Sequence, residues 1–207
     1  MKKMLFAIYG MMLVGLAIPS AAVTLSLQPA SQTAAPGDPV TLELVVGGLG
    51  DFAPDSLGAF DVDIAYDSAA LTFTGYTLDS YLGDIFLGEA YDVSGGDSGG
   101  VVNIAELSLL ENNAATCFFC MPPYLDDIQP DSFTLAYLDF SVDTLAPGES
   151  TIVSIETVNA LGDGAGMPLT VTATSDAVIS AVPVPAAAWL FGSGLLAMIG
   201  LCRHKKL

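Results

Sequence analysis

From residue 23 to residue 182 apolar and polar positions alternate in short runs, and each run stops at Gly, Pro, Asp or Asn. A period of two sends successive side chains to opposite faces, which is the pattern of a strand with one buried side. Residues 23–27 alternate before Pro29, Pro36-Gly37-Asp38 makes a turn, and residues 40–46 run up to Gly47-Gly48-Leu49-Gly50. In residues 58–66 the alternation is clearest: Phe60, Val62, Ile64 and Tyr66 fall on one face, Asp61, Asp63 and Ala65 on the other. The same reasoning predicts strands over 71–78, 85–91, 101–107, 133–142, 151–157 and 169–179, the last broken near Ser175. No segment has a convincing helical period. Eight or nine short strands separated by turn residues predict an all-β, antiparallel sandwich or jelly roll in one domain, large enough to bury about 70% of its unfolded surface. Residues 92–100, rich in Gly and Ser, read as a flexible loop tip, and 112–129 as a second long irregular stretch.

The two ends break the pattern. Residues 1–22 begin with Lys2 and Lys3, continue through an apolar run over 4–18, and end in Pro19-Ser20-Ala21-Ala22. The run is shorter than the roughly 20 residues of a spanning helix and is followed by a small-x-small site. A secretory signal peptide cleaved after Ala22 is therefore predicted. At the other end residues 186–202 carry no charge, with Val182-Pro183-Val184-Pro185-Ala186 before them and Arg203-His204-Lys205-Lys206 after. Trp189 is placed for the outer interface, and the basic cluster stays cytoplasmic by the positive-inside rule, which puts the domain outside. Composition alone favours a plain C-terminal membrane anchor.

The Pro-rich motif, short transmembrane helix and terminal basic cluster resemble the PEP-CTERM sorting signal of exosortase-bearing bacteria, in its Val-Pro-x-Pro-Ala variant. Val184 stands where the commonest form has Glu. The resemblance implies that Val182, Pro183, Val184, Pro185 and Ala186 are read by an exosortase-type processing enzyme. It also implies that the helix is removed, and that the protein ends at the bacterial envelope, cell surface or extracellular matrix. The expected organisation is a signal peptide over 1–22, a domain over 23–181 and a sorting signal over 182–207, with its helix at 186–202 and basic tail at 203–206.

Charge narrows the chemistry. The chain holds 23 Asp and Glu against five Lys and Arg, and all five bases and the single His lie in the end segments. The domain over 23–181 has none. Such a surface repels phosphate, so nucleic-acid binding is excluded. Without His or Lys there is no imidazole base, Schiff-base former or phosphate clamp, leaving carboxylates, hydroxyls, thiols or a bound metal to do chemistry. Glu106 and Glu111 are the only nearby Glu pair, without the context of a glycosidase. A non-enzyme is expected.

The order of elements within the domain resembles a cohesin. Gly37-Asp38-Pro39-Val40 leads a strand, and Leu57 to Asp67 (LGAFDVDIAYD) runs on to Ala70-Leu71. Residues 133–140 (FTLAYLDF) follow, and Pro147-Gly148-Glu149-Ser150 precedes another strand. Cohesins place a Gly-Asp before the second strand, end an apolar-Asp-apolar strand in Tyr-Asp, and follow a late strand ending in Phe with a Gly turn. The resemblance implies a jelly-roll sandwich of about nine strands. It also implies non-catalytic protein interaction or adhesion through one sheet face, with a dockerin-like protein as partner. Dockerin calcium loops of the Asp-x-Asp-x-Asn-Gly kind are missing from the sequence, which leaves the receiving half.

Three further constellations are weighed. Cys117-Phe118-Phe119-Cys120 in an exported chain is expected to close a local disulfide. Asp92 with Asp97, Asp126-Asp127, and Asp163 are loop positions where oxygen ligands could converge on Ca²⁺; the alternative is a solvated acidic face. Tyr76, Tyr81, Tyr91, Phe118, Phe119 and Tyr124 could stack on polysaccharide, making a carbohydrate-binding module of the same fold the competing function. The domain has no Trp, and core or loop packing is the simpler role for these rings.

Overall fold

The computed structural model describes residues 23–51, 56–115 and 119–183. The expected signal peptide, Val184 to Ala186 of the sorting motif, the sorting helix and Cys117 lie outside the described residues. Among the described residues no helix is long and apolar enough to cross a membrane.

Among the described residues twelve strands form in chain order: β1 (Val23–Gln28), β2 (Ser31–Ala34), β3 (Pro39–Gly47), β4 (Leu57–Tyr66), β5 (Leu71–Leu78) and β6 (Ala90–Asp92) make the first half. The second half is β7 (Gly96–Asp97), β8 (Val101–Ser108), β9 (Ser132–Val142), β10 (Ser150–Asp163), β11 (Val171–Ser175) and β12 (Ala177–Ala181). They pair into a five-stranded sheet, β11-β1-β3-β9-β5, and a seven-stranded sheet, β2-β12-β10-β4-β8-β6 with β7 also on β8. The alternation explains the layering. Leu25, Leu27, Leu42 and Leu44 from one sheet meet Phe60, Ile64, Ile104 and Ile179 from the other, all at most 2% exposed. Each such side chain contributes about 2 kcal/mol of burial. Phe140 on β9 joins the layers edge-on: its ring lies 5.4 Å from Tyr66 on β4 and 5.5 Å from Phe73 on β5.

The Tyr66-Asp67 signature has a local cause. The Asp67 carboxylate accepts from Ala69 N (2.9 Å) and its carbonyl from Ala70 N and Leu71 N, so the chain reverses from β4 into β5 on one side chain.

Four expectations are corrected. Residues 85–91 do not form a strand: Asp84 accepts from the amides of Phe86 (2.7 Å) and Leu87 (3.2 Å), Gly88 takes a φ of 75°, and a tight turn results, leaving only β6. The predicted loop tip over 92–100 is instead pinned along β8. β7 pairs there, Gly95 N donates to Asn103 Oδ1 (2.7 Å), and Ser94 Oγ accepts from Ala105 N (2.9 Å). The sandwich is mixed rather than antiparallel, because β11 joins β1 and β2 joins β12 in parallel. Finally, the irregular stretch over 112–129 contains a one-turn helix, α1 (Leu125–Ile128), and a 3₁₀ turn forms at Ser80–Leu82.

Candidate functional site

The outer face of the seven-stranded sheet carries a polar cluster at its centre. Asp61 and Asp63 point outward from β4 because their neighbours Phe60, Val62 and Ile64 point into the core. Two carboxylates two residues apart on one face repel, and this domain has no cation to place between them. Side-chain amides take that role. Asn103 on β8 donates Nδ2 to Asp61 (2.6 Å) and Asp63 (2.8 Å), and Asn159 on β10 donates to the same pair at 3.1 and 3.0 Å. Asn159 reaches them from a bulge: the β10 register skips between Val158 and Ala160, and the extra residue is re-aimed at β4. The hydrogen bonds from Asn159 and then Asn103 hold the Asp63 carboxyl below the usual carboxylate range.

Apolar surface flanks the cluster. Tyr91 on β6 and Leu107 on β8 are direct cross-strand partners, and alternation puts Val93 and Leu109, just beyond those strand ends, on the same outer side. All four are at least 43% exposed. Beside them a cleft of about 660 Å³ is lined by Ala59, Leu107, Val158, Leu169 and Val171, among others. The β4 end at this cleft needs Gly58: a Cβ there would stand 2.6 Å from the Asp163 carbonyl oxygen.

The residues weighed as Ca²⁺ ligands against a solvated acidic face each have hydrogen-bonded or local roles of their own. Asp92 accepts from Tyr76 Oη (2.7 Å) and Ser94 N (3.0 Å); burial works against its charge, yet the bonds from Ser94 and Tyr76 keep its carboxyl low. Asp97 accepts from Tyr66 Oη (2.9 Å) and Gly99 N (2.9 Å), and burial, then Asp97, pushes the Tyr66 phenol up. Asp126 and Asp127 sit in the first turn of α1, where burial and then Asp127 raise the Asp126 carboxyl. Asp163 closes a turn by accepting from Ala165 N and Met167 N. Among the described residues no three His, Cys, Asp or Glu side chains converge on a metal-sized site.

Cys120 is disulfide-bonded, and Cys117 lies outside the described residues. The aromatic residues proposed for stacking divide: Tyr81 packs on Phe133 (4.8 Å) and Tyr76 stacks with Phe73 (6.5 Å), while Tyr91 and Phe119 are exposed. Glu106, considered as half of a carboxylate pair, is buried, and Glu111 lies beside α1, its carbonyl accepting from Leu125 N. Sequence reasoning missed Asn103 and Asn159. The missing base was only a partial signal: outward aspartates without a cation favour amide donors nearby, but which asparagines reach them is set by strand register.

No protein-family model matches the sequence, and comparison with curated proteins finds no match. Solved structures do match, and they are cohesins. The sixth cohesin of Acetivibrio cellulolyticus scaffoldin B, solved with a Cel5 dockerin, aligns with a TM-score of 0.59 at 15% identity, over 78% of this chain and 99% of that one. CaCohA2 from Clostridium acetobutylicum aligns at 0.57 and 19% identity, over 79% and 92%. A type II cohesin from the Acetivibrio cellulolyticus cellulosome aligns at 0.54 and 18% identity, over 78% and 95%. The domain has the cohesin fold.

Proposed function

We propose that this chain is an exported, non-catalytic interaction module that receives a protein partner on the outer face of its seven-stranded sheet. The observation that carries the reading is the composition of that face on a cohesin fold: a hydrogen-bonded Asp61-Asp63-Asn103-Asn159 centre beside exposed Tyr91, Val93, Leu107 and Leu109. A polar centre that fixes register and an apolar flank that loses water on contact are what a specific interface needs. The acidic surface selects for a partner that brings Lys or Arg. Some of the cohesins it resembles in fold, the scaffoldin B cohesin among them, were solved with dockerins, which makes a dockerin-like module the first candidate.

Export through the signal peptide, exosortase processing at Val182 to Ala186, display at the cell surface or matrix, and a Cys117–Cys120 disulfide belong to the same proposal. Mass spectrometry of the mature protein is expected to find a chain starting near Val23 and ending near Pro185; an end at Leu207 in the surface fraction would leave a plain anchor. For the binding role, the full chain is offered to a panel of dockerin modules and to a glycan array. Dockerin binding without glycan binding is expected. Glycan binding without dockerin binding would transfer the face to polysaccharide recognition.

A further inference from the structure

The proposed interface leaves one chemically unusual group unused. Glu106 lies on β8, whose inward residues Val102 and Ile104 are core, and it continues that inward series. It is 1% exposed, and neither carboxyl oxygen has a hydrogen-bond partner. Every element packed around it withholds a counter-charge. Its cross-strand partner on β4 is Phe60, and the one on β6 is Asp92, another acid. Asp79, which caps the Ser80–Leu82 turn, also repels it. The Tyr76 hydroxyl of β5 is given to Asp92 instead. No Lys, Arg or His occurs between residues 23 and 182, so the domain cannot supply a cation.

An ionised carboxylate in that position would be a buried charge with neither donor nor counter-ion, the arrangement that proteins avoid by keeping the proton. We infer that Glu106 is a proton-held latch: while its carboxyl is neutral, the sandwich edge made by β6, β8 and the Ser80–Leu82 turn closes over it, and loss of the proton loosens that edge. Burial first, then the Asp92 and Asp79 charges, push its carboxyl up to about 8. A glutamate in the unfolded chain ionises near 4.5. Between those values the native state holds a proton that the unfolded state lacks. The folded-to-unfolded ratio therefore falls as pH rises, by up to about tenfold per pH unit, and stops falling above about pH 8. Because Tyr91 and Leu107 stand on the same two strands, the latch would also act on the proposed interface. The latch is tested on the chain alone, so its failure and that of the docking reading are distinguishable.

The test is a carbon-13 titration of the Glu106 carboxyl in the full chain, with amide exchange of Ala90 to Asp92 and Ser80 to Leu82 followed over the same pH range. Exchange is corrected for its intrinsic pH dependence, and Glu106→Gln is the neutral control. Glu106 is expected to titrate well above the other carboxyls, and edge exchange to rise with that titration in the wild type and stay level in the control. Titration of Glu106 with the ordinary carboxyls would overturn the latch, as would edge exchange that ignores the Glu106 titration. Should the control not fold, the two wild-type measurements decide the question by themselves.

Discussion

The side-chain amide of Gln129 is bonded to both backbone polar groups of Leu57, accepting from its N–H at 2.8 Å and donating to its carbonyl at 2.8 Å. A second donated bond reaches the Tyr81 carbonyl at 2.9 Å, and Gln129 itself is buried. One side chain thus acts as a missing strand partner at the start of β4, tying α1 and the 3₁₀ turn to the sheet that bears the candidate face. Gln129→Ala leaves these buried groups unpaired and is expected to cost about 3 kcal/mol, read by urea denaturation. A loss within error would mean that water replaces the amide.

The Asn159–Asp63 bond makes a pH-dependent prediction. Asp63 ionises below its ordinary value of 3.8, so its contribution to stability is present above that value and lost as pH falls through the native one. Asn159→Ala is expected to destabilise by under about 1 kcal/mol at pH 7, since the site is exposed. The gap to wild type should close as the acid limb is descended. A gap that persists at full protonation would assign Asn159 a packing role.

With no base in the domain, carboxylate pairs on its surface repel, and at roughly 0.15 M salt that repulsion survives screening only within about 8 Å. Added NaCl is expected to raise the melting temperature. Because no three acid side chains of the described residues converge, CaCl₂ at the same ionic strength should give the same shift. A larger rise with Ca²⁺ at micromolar to millimolar concentrations would reveal a coordinated ion.

Gly58 tests the close approach of the 163–164 turn to β4. A methyl group there would meet backbone atoms of Asp163 and Gly164 at 2.6 and 2.8 Å, and backbone cannot rotate away as a side chain can. Gly58→Ala is expected to cost about 3 kcal/mol by thermal or urea unfolding. An unchanged midpoint would show that the turn yields freely.

What was legible in the sequence was whatever alternation alone decides. Strand β4 and its inward Phe60, Val62, Ile64 and Tyr66 follow from a period of two, and β5 begins and ends where the pattern placed it. Apolar content misled where it lacked that support: Ile85, Phe86 and Leu87 read as a strand, yet the Asp84 carboxylate captures the next amides and turns the chain. β2 was missed because Ser31–Ala34 is too short and polar to signal itself, and its parallel pairing with β12 depends on residues far away in sequence. At the candidate face Asp61 and Asp63 were visible as outward positions. Asn103 and Asn159 were not, because strand register and the β10 bulge bring them to the pair.

The outer face of the seven-stranded sheet is the surface proposed to receive the partner. Titration calorimetry of the full chain with a dockerin module selected from the panel tests it directly, using Leu107→Asp on that face and Thr77→Asp, an exposed position on β5 of the other sheet. Placing a charge in a desolvated apolar contact should weaken binding at least about tenfold in the Leu107 variant, while the Thr77 variant binds as the wild type does. Equal affinities for all three proteins, or a loss confined to the Thr77 variant, would contradict the account.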